Sequence, residues 1–146
     1  MWHIRRFEAL SLEELEEIYR LRQTIFILEQ ESFFADIDGE DREAVHIFHK
    51  EDGSITSYCR ITTDGKIVIG RVLVNPRHRG EGKGRQLFDY ALTYTRREYP
   101  SSPIAITAMC YLEDFYESFG FTRISERYDI AGHLHVDMVL EYRRKS

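Results

Sequence analysis

Between Ile67 and Glu98 the chain changes character twice within about thirty residues. Ile67 to Val74 reads Ile-Val-Ile-Gly-Arg-Val-Leu-Val, a short apolar run suited to a buried strand. Asn75-Pro76-Arg77-His78-Arg79-Gly80-Glu81-Gly82-Lys83-Gly84-Arg85 is a basic, glycine-rich turn. From Gly84 to about Glu98, Leu87, Phe88, Ala91, Leu92 and Thr95 recur at helical spacing. A strand that turns directly into an amphipathic helix must lay that helix back on a sheet face, so the chain is constrained to an α/β layer arrangement. Gly70 inside the strand predicts a bulge or a close backbone approach.

The flanking segments extend the same pattern. His3 to Glu8 predicts a short first strand. Ser11-Leu12-Glu13-Glu14 is a capping box that opens a helix, with Leu12, Leu15, Ile18, Tyr19, Arg22, Ile25 and Phe26 near one face. Arg22 on that stripe reads either as a side chain snorkelling at the core's edge or as an arginine facing a cleft. Glu29 to Glu43 predicts a polar, solvated loop. Ala44 to Lys50 and Ser54 to Thr63 predict two strands joined by an Asp52-Gly53 hairpin turn, and Asp64-Gly65 supplies another turn before Ile67. Ile104 to Met109 predicts a strand. Leu112, Phe115, Tyr116 and Phe119 predict a short helix stopped at Gly120. Phe121 to Asp129 and His133 to Tyr142 predict a closing hairpin around Ala131-Gly132.

The basic turn has the chemistry of an anion site. The first N–H groups of a helix lack internal partners, and the helix dipole adds positive charge there. Glycines let those amides approach an anion, and Arg77, Arg79, Lys83 and Arg85 add full charges. The Walker spacing is absent, and Gly80-x-Gly82-x-Gly84 does not match the dinucleotide fingerprint.

The turn does resemble motif A of the GNAT acetyltransferases, standing here as Arg79-Gly80-Glu81-Gly82-Lys83-Gly84. Phe115-Tyr116-Glu117-Ser118-Phe119-Gly120-Phe121 is similar to a later segment of that family. Arg22 to Gln30, Asp36 to Asp41, Ile69 to Val72 and His135 to Met138 resemble its ElaA-like branch, so the likeness runs along nearly the whole chain. The resemblance implies a mixed α/β GNAT-like domain over residues 1–146, with about seven strands, flanking helices and a splayed central strand pair. It implies acetyl-CoA as cosubstrate without a metal, and direct acetyl transfer to the amine of a small molecule or peptide. The backbone of Val72, Leu73 and Val74 would hold the pantetheine arm. Arg79, Gly80, Gly82, Lys83 and Gly84 would hold the pyrophosphate. Gly70 and Arg71 would fit a bulge at the splay.

Amine attack on a thioester needs a proton acceptor for the amine, a donor for the carbonyl oxygen and an acid for the leaving thiolate. The resemblance assigns the acid to Tyr116, whose place on an aromatic stripe also fits plain packing. His46, Glu29, His133 and His135 are candidates for the base; His46 is the sort of strand histidine that is often structural, and His135 also fits a structural place in the last hairpin. Cys110 precedes the Tyr116 helix, but no fixed histidine partner argues for an acyl-cysteine route. A non-catalytic acyl-CoA-binding module would need the same cradle without acid or base.

Composition narrows the classes further. The 146 residues fit one domain, able to bury roughly 70% of its unfolded surface without staples. A formal net charge of −5 argues against general nucleic-acid binding. No apolar run approaches a membrane span, and the first residues lack an apolar signal core. Cys59 and Cys110 form no C-x-x-C pair and read as reduced, buried thiols of a cytoplasmic protein. The acidic residues Asp36, Asp38, Glu40, Asp41 and Glu43 miss the calcium-loop pattern and leave open a second role, attraction of a cationic amine. Aromatic residues of the last hairpin would suit a homodimer contact.

Overall fold

The computed structural model describes residues 1–142. It is a mixed sheet of eight strands with helices on both faces. The strands are β1 (Trp2–Arg6), β2 (Val45–Glu51), β3 (Ser54–Thr62), β4 (Ile67–Val74), β5 (Ile104–Met109), β6 (Thr122–Arg123), β7 (Tyr128–Ile130) and β8 (His133–Leu140). Their spatial order is β1-β2-β3-β4-β5-β8-β6, and β7 also pairs with β8. The eighth strand arises because the first arm of the closing hairpin is split. Ser125 interrupts it, and its Oγ accepts from the Asp137 N–H at 2.8 Å.

Three helices complete the frame: α1 (Leu12–Arg22), α2 (Lys83–Glu98) and α3 (Glu113–Glu117). The capping box at Ser11 forms in both directions, with Glu14 N–H donating to Ser11 Oγ at 3.0 Å and Ser11 N–H to Glu14 Oε1 at 2.9 Å. The α1 stripe takes hold only from its middle. Ile18 is buried, whereas Leu12, expected to face inward, is 86% exposed in the first turn. Beyond Arg22 the helix widens into a π-helical stretch, Gln23–Glu29, with Gln30 N–H donating to Ile25 O. Such widened turns recur at functional sites, and periodicity alone gives no sign of one.

The sheet has two cores. Ile67, Ile69, Ile104, Ile106, Val136 and Met138 pack with Leu87, Phe88 and Ala91 of α2 on one face. Ile18 and Ile25 pack with Phe48, Ile55, Tyr58 and Leu73 on the other. Ile69 and Leu73 share the same parity on β4 yet belong to different cores. A bulge explains this. Arg60 pairs with Gly70 and Tyr58 with Leu73, so Arg71 and Val72 together oppose Cys59 alone. Arg71 takes φ of 51°, a left-handed conformation that costs a side-chain-bearing residue on the order of 1 kcal/mol. The extra residue turns the end of β4 over.

The splay lies beside this bulge. β4 and β5 are parallel neighbours only at Ile67–Ile104 and Val68–Ala105. Past Val68 they diverge, and no described strand pairs with β4 on that side. No helix among the described residues is long and apolar enough to cross a membrane.

Candidate functional site

The divergence of β4 and β5 opens a cleft of about 550 Å³. Its walls come from Val68 to Val72 of β4 and Ile106 to Met109 of β5, and Tyr116 and His135 also line it. Phe26, Gln30, Ser32 and Phe34 cover it from the end of α1 and the following loop.

The basic turn begins where β4 ends. Asn75 fastens it: its Oδ1 accepts from Arg77 N–H at 3.1 Å and its Nδ2 donates to Ile55 O at 2.9 Å. Gly80 and Gly82 have φ of 83° and 76°, which side-chain-bearing residues rarely adopt. Gln86 N–H makes the first bond back to Gly82 O, so the N–H groups of Lys83, Gly84 and Arg85 have no helical acceptor. Gly84 is different: a Cβ there would meet Val74 Cγ2 at 3.5 Å, an ordinary contact. Its glycine is not demanded by packing, and the open backbone it leaves faces the same turn.

Two cations of the turn, Arg79 and Lys83, are held by carboxylates. Arg79 donates in a fork to Glu29, one arm at 3.0 Å, and this bond raises the guanidinium pKa. Lys83 pairs with Glu51, whose carboxyl is held below its ordinary value by that hydrogen bond. Arg85 lies over the rings of Phe119 and Phe115, 4.8 and 5.2 Å from their centroids, and donates to Ser118 Oγ. Arg77 is exposed. Ion pairs this open to solvent are each worth about 0–1 kcal/mol, so a more highly charged anion can displace them.

Tyr116 sits on α3, its ring edge-on to Phe88 at 5.0 Å between centroids. It is 7% exposed and forms part of the cleft wall. Its hydroxyl has no hydrogen bond among the described residues, and burial pushes its pKa above 10. A packed ring with a protonated hydroxyl at a cleft can donate a proton without reorientation.

The candidate bases separate. Glu29 lies at the basic turn, bound to Arg79, and not among the cleft walls. His46 is fully buried. Its Nε2 donates to Asp41 O at 2.9 Å and its Nδ1 accepts from Tyr58 Oη at 2.7 Å. Burial lowers its pKa, chiefly by desolvation. With both nitrogens engaged and no opening to the cleft, His46 holds the loop to the sheet and has no lone pair to offer a substrate. His133 Nε2 donates to Gln30 O at 2.7 Å, fastening the β7–β8 hairpin to the end of the π-helical stretch. Cys59 is buried, its thiol pushed up to about 12 by desolvation, and Cys110 is half-buried. Neither thiol lines the cleft.

The acidic loop is not the solvated loop expected of it. Asp36 and Asp41 are buried against Arg22, itself 0% exposed. Arg22 Nε donates to Asp36 Oδ2 at 3.0 Å, its Nη1 to Asp41 Oδ1 at 2.8 Å and its Nη2 to Asp36 O at 2.7 Å. Arg22 therefore neither snorkels nor faces the cleft. Arg60 spans Asp38 and Asp41, at 2.7 and 3.1 Å. Arg71 reaches the same loop, its Nε 2.8 Å from Asp36 Oδ1 as an ion pair without hydrogen-bond alignment. Burial opposes charge on Asp41, but the hydrogen bond and charge of Arg22, with Arg60, hold its pKa down. Phe34 lies under the Arg71 guanidinium, 5.1 Å away. The network clamps the strained bulge to the loop that roofs the cleft. The bulge expected at Gly70 and Arg71 is there, but sequence reasoning missed Arg60 and the pairing of Arg71 with the loop; the signal was two arginines inside strands near a loop rich in aspartate.

Comparison with known proteins agrees with this geometry. Residues 12–142 match the family model described as an acetyltransferase (GNAT) domain. The chain is 34% identical over 143 residues to a UPF0039 protein of Synechocystis sp., covering 94% of this chain and 93% of that protein. It is 33% identical over 146 residues to protein ElaA of Escherichia coli, covering 96% and 95% of the two chains. The crystal structure of that ElaA superposes with a TM-score of 0.92, at 33% identity, over 97% of this chain and 99% of its own. An acyl-CoA N-acyltransferase from Pseudomonas aeruginosa superposes with a TM-score of 0.91, at 29% identity, over 96% and 98%.

Proposed function

The chain belongs to the GNAT acyltransferase family, and from that premise we propose that it transfers an acetyl group from acetyl-CoA directly to the amine of a small molecule or peptide. One observation carries the reading: an open β4 edge, unpaired on its β5 side from Ile69 onward, runs into the basic glycine turn and lines the same cleft as Tyr116. Buried backbone groups need partners, and an extended arm with amides of its own supplies them. The backbone of Val72, Leu73 and Val74 takes the pantetheine portion. The amides around Arg79, Gly80, Gly82, Lys83 and Gly84 take the pyrophosphate, with Arg79 and Lys83 turning from Glu29 and Glu51 toward it.

The reacting carbonyl then lies in the cleft beside the β4 bulge. A β4 backbone N–H stabilises the charge that develops on its oxygen. Tyr116 protonates the departing thiolate. The buried ring holds the hydroxyl in place, and its raised pKa keeps the proton on it at neutral pH. The aspartate–arginine clamp serves by holding the roof loop and the bulge in register. Two free thiols are consistent with a reducing, cytoplasmic setting.

The reading is tested by titrating CoA calorimetrically and by following thiol release from acetyl-CoA with a panel of primary amines: putrescine, tyramine, L-lysine, an aminoglycoside and a lysine-containing peptide. Saturable CoA binding with amine-dependent thiol release is the expected result. No CoA binding overturns the reading. CoA binding with no release for any amine favours a binding module.

A further inference from the structure

We propose that His135 is the proton acceptor for the incoming amine, a reading that rests on the acyltransfer assignment above. The case starts from strand geometry. Ile104, Ile106 and Ala108 pair with Leu140, Met138 and Val136, and all six belong to the core beneath α2. Side chains alternate along a strand, so Met109 and His135 project from the opposite face. Tyr116 enters the cleft from the α2 side, where its ring packs on Phe88. His135 enters from the other. Acid and base therefore enter the cleft from opposite faces of the sheet, with the space for the reacting carbonyl between them.

The imidazole is also held in the tautomer the task requires. Its Nδ1 lies 2.8 Å from His133 O, and a carbonyl oxygen can only accept, so Nδ1 carries the hydrogen. Nε2 is then left with its lone pair, and it has no hydrogen bond among the described residues. His133 is itself anchored by its Nε2–H to Gln30 O. The carbonyl that orients His135 is thereby fixed to the rim of the cleft. This is the base-and-orienter arrangement expected of a general base, with a backbone carbonyl as orienter. Around His135 stand His133 and Asp137 on its own strand, Tyr128 on β7, Tyr111 and Tyr116 beside the cleft, and Arg71 on β4. Asp137 is occupied by the hydroxyls of Tyr128 and Thr107, so it does not compete for the imidazole.

The step balances without a further reactant. The amine lone pair forms the N–C bond, His135 Nε2 takes one N–H proton, and the C–S bond breaks with its electron pair on sulfur. Tyr116 gives that sulfur its proton. The imidazolium then loses a proton to solvent and the tyrosinate regains one, leaving amide and free thiol.

Asparagine tests the role cleanly, because its amide NH2 can still donate to His133 O while Nε2 is deleted. With whichever panel amine the wild type acetylates, His135→Asn should lower kcat about 10²-fold or more. CoA affinity and melting temperature should stay near wild type, and any rise in kcat/KM with pH that remains should be that of the free amine alone. Added imidazole should restore part of the rate. His135→Gln, which loses the Nδ1 bond, should be no better than His135→Asn. A wild-type rate and pH profile in a folded His135→Asn overturns the proposal while leaving acyltransfer standing. A wild type that acetylates no amine overturns acyltransfer instead. Long-range 1H–15N NMR of the wild type reads the tautomer without any turnover: an Nδ1–H form supports the assignment, and an Nε2–H form ends it.

Discussion

Arg79 and Glu29, fifty positions apart in the chain, meet as a two-armed ion pair in which Nη1 donates to Oε2 at 3.0 Å. The pair joins the end of the π-helical stretch to the glycine turn, across the mouth through which a pyrophosphate would enter. Glu29 and the anion compete for one guanidinium. Glu29→Gln should therefore tighten CoA binding, up to about fivefold for an exposed pair. Arg79→Ala should weaken it by about tenfold or more, the scale of a charge-assisted hydrogen bond. Isothermal titration reads both. Turnover of Glu29→Gln should stay within about threefold of wild type; a hundredfold loss would return Glu29 to proton transfer.

Tyr116→Phe keeps the ring against Phe88 and removes only the hydroxyl. Thiol release should fall by about 10²-fold or more, with CoA affinity changed less than about twofold. An unaltered rate would reduce Tyr116 to a packing residue.

Arg22, itself fully buried, binds two buried aspartates. Removing one member strands a buried charge, so Asp41→Ala should cost about 3–5 kcal/mol in urea denaturation. Arg22→Met, which leaves Asp36 and Asp41 facing each other without their shared cation, should cost a similar amount. A loss below about 1 kcal/mol in both would show that the clamp does not hold the loop.

Acid should unfold the protein in two stages. The folded His46 pKa lies below its ordinary 6.5, so as pH falls below that value the unfolded chain takes up the proton first and stability declines. His3 and His49 are shifted in the same direction and add to this stage. Asp38 and Asp41 are shifted below their ordinary 3.8 by Arg60 and Arg22 against the opposing effect of burial. Their contribution is complete above that value and is lost as pH falls through and beneath it. Calorimetric melting temperatures should be flat between about pH 7 and pH 8, decline gently toward pH 5 and drop steeply below 4. A His46→Gln variant that still declines as steeply as wild type between pH 7 and 5 would remove His46 from the first stage.

What could be read from sequence divides by the range of the interaction. β4 and β5 have the limits their apolar runs predict, and the capping box at Ser11 forms as its four residues require. The glycine turn is local in the same way: its left-handed glycines and the unbonded N–H groups that open α2 lie within ten residues. Arg22 and His46 depart from expectation for the opposite reason. The partners of Arg22 lie 14 and 19 positions away in a loop without periodicity, and His46 is closed off by Tyr58 from the neighbouring strand. No local pattern distinguishes a histidine with both nitrogens occupied from one with a free lone pair. His135 depends on the same kind of detail, a carbonyl two residues away that selects its tautomer.

The turn-over of β4 at Arg71 gives that strand something like a reading frame. Before the bulge odd positions face α2; after it Leu73 faces α1. Deleting one residue between Gly70 and Leu73 would leave Leu73 opposite Tyr58 in its own core but abolish the bulge, and with it the left-handed residue whose guanidinium reaches Asp36 and Asp38. A change of one residue in the wall of the cleft is thus felt in its roof, because the spacing of one strand sets the reach of the arginine that holds the loop.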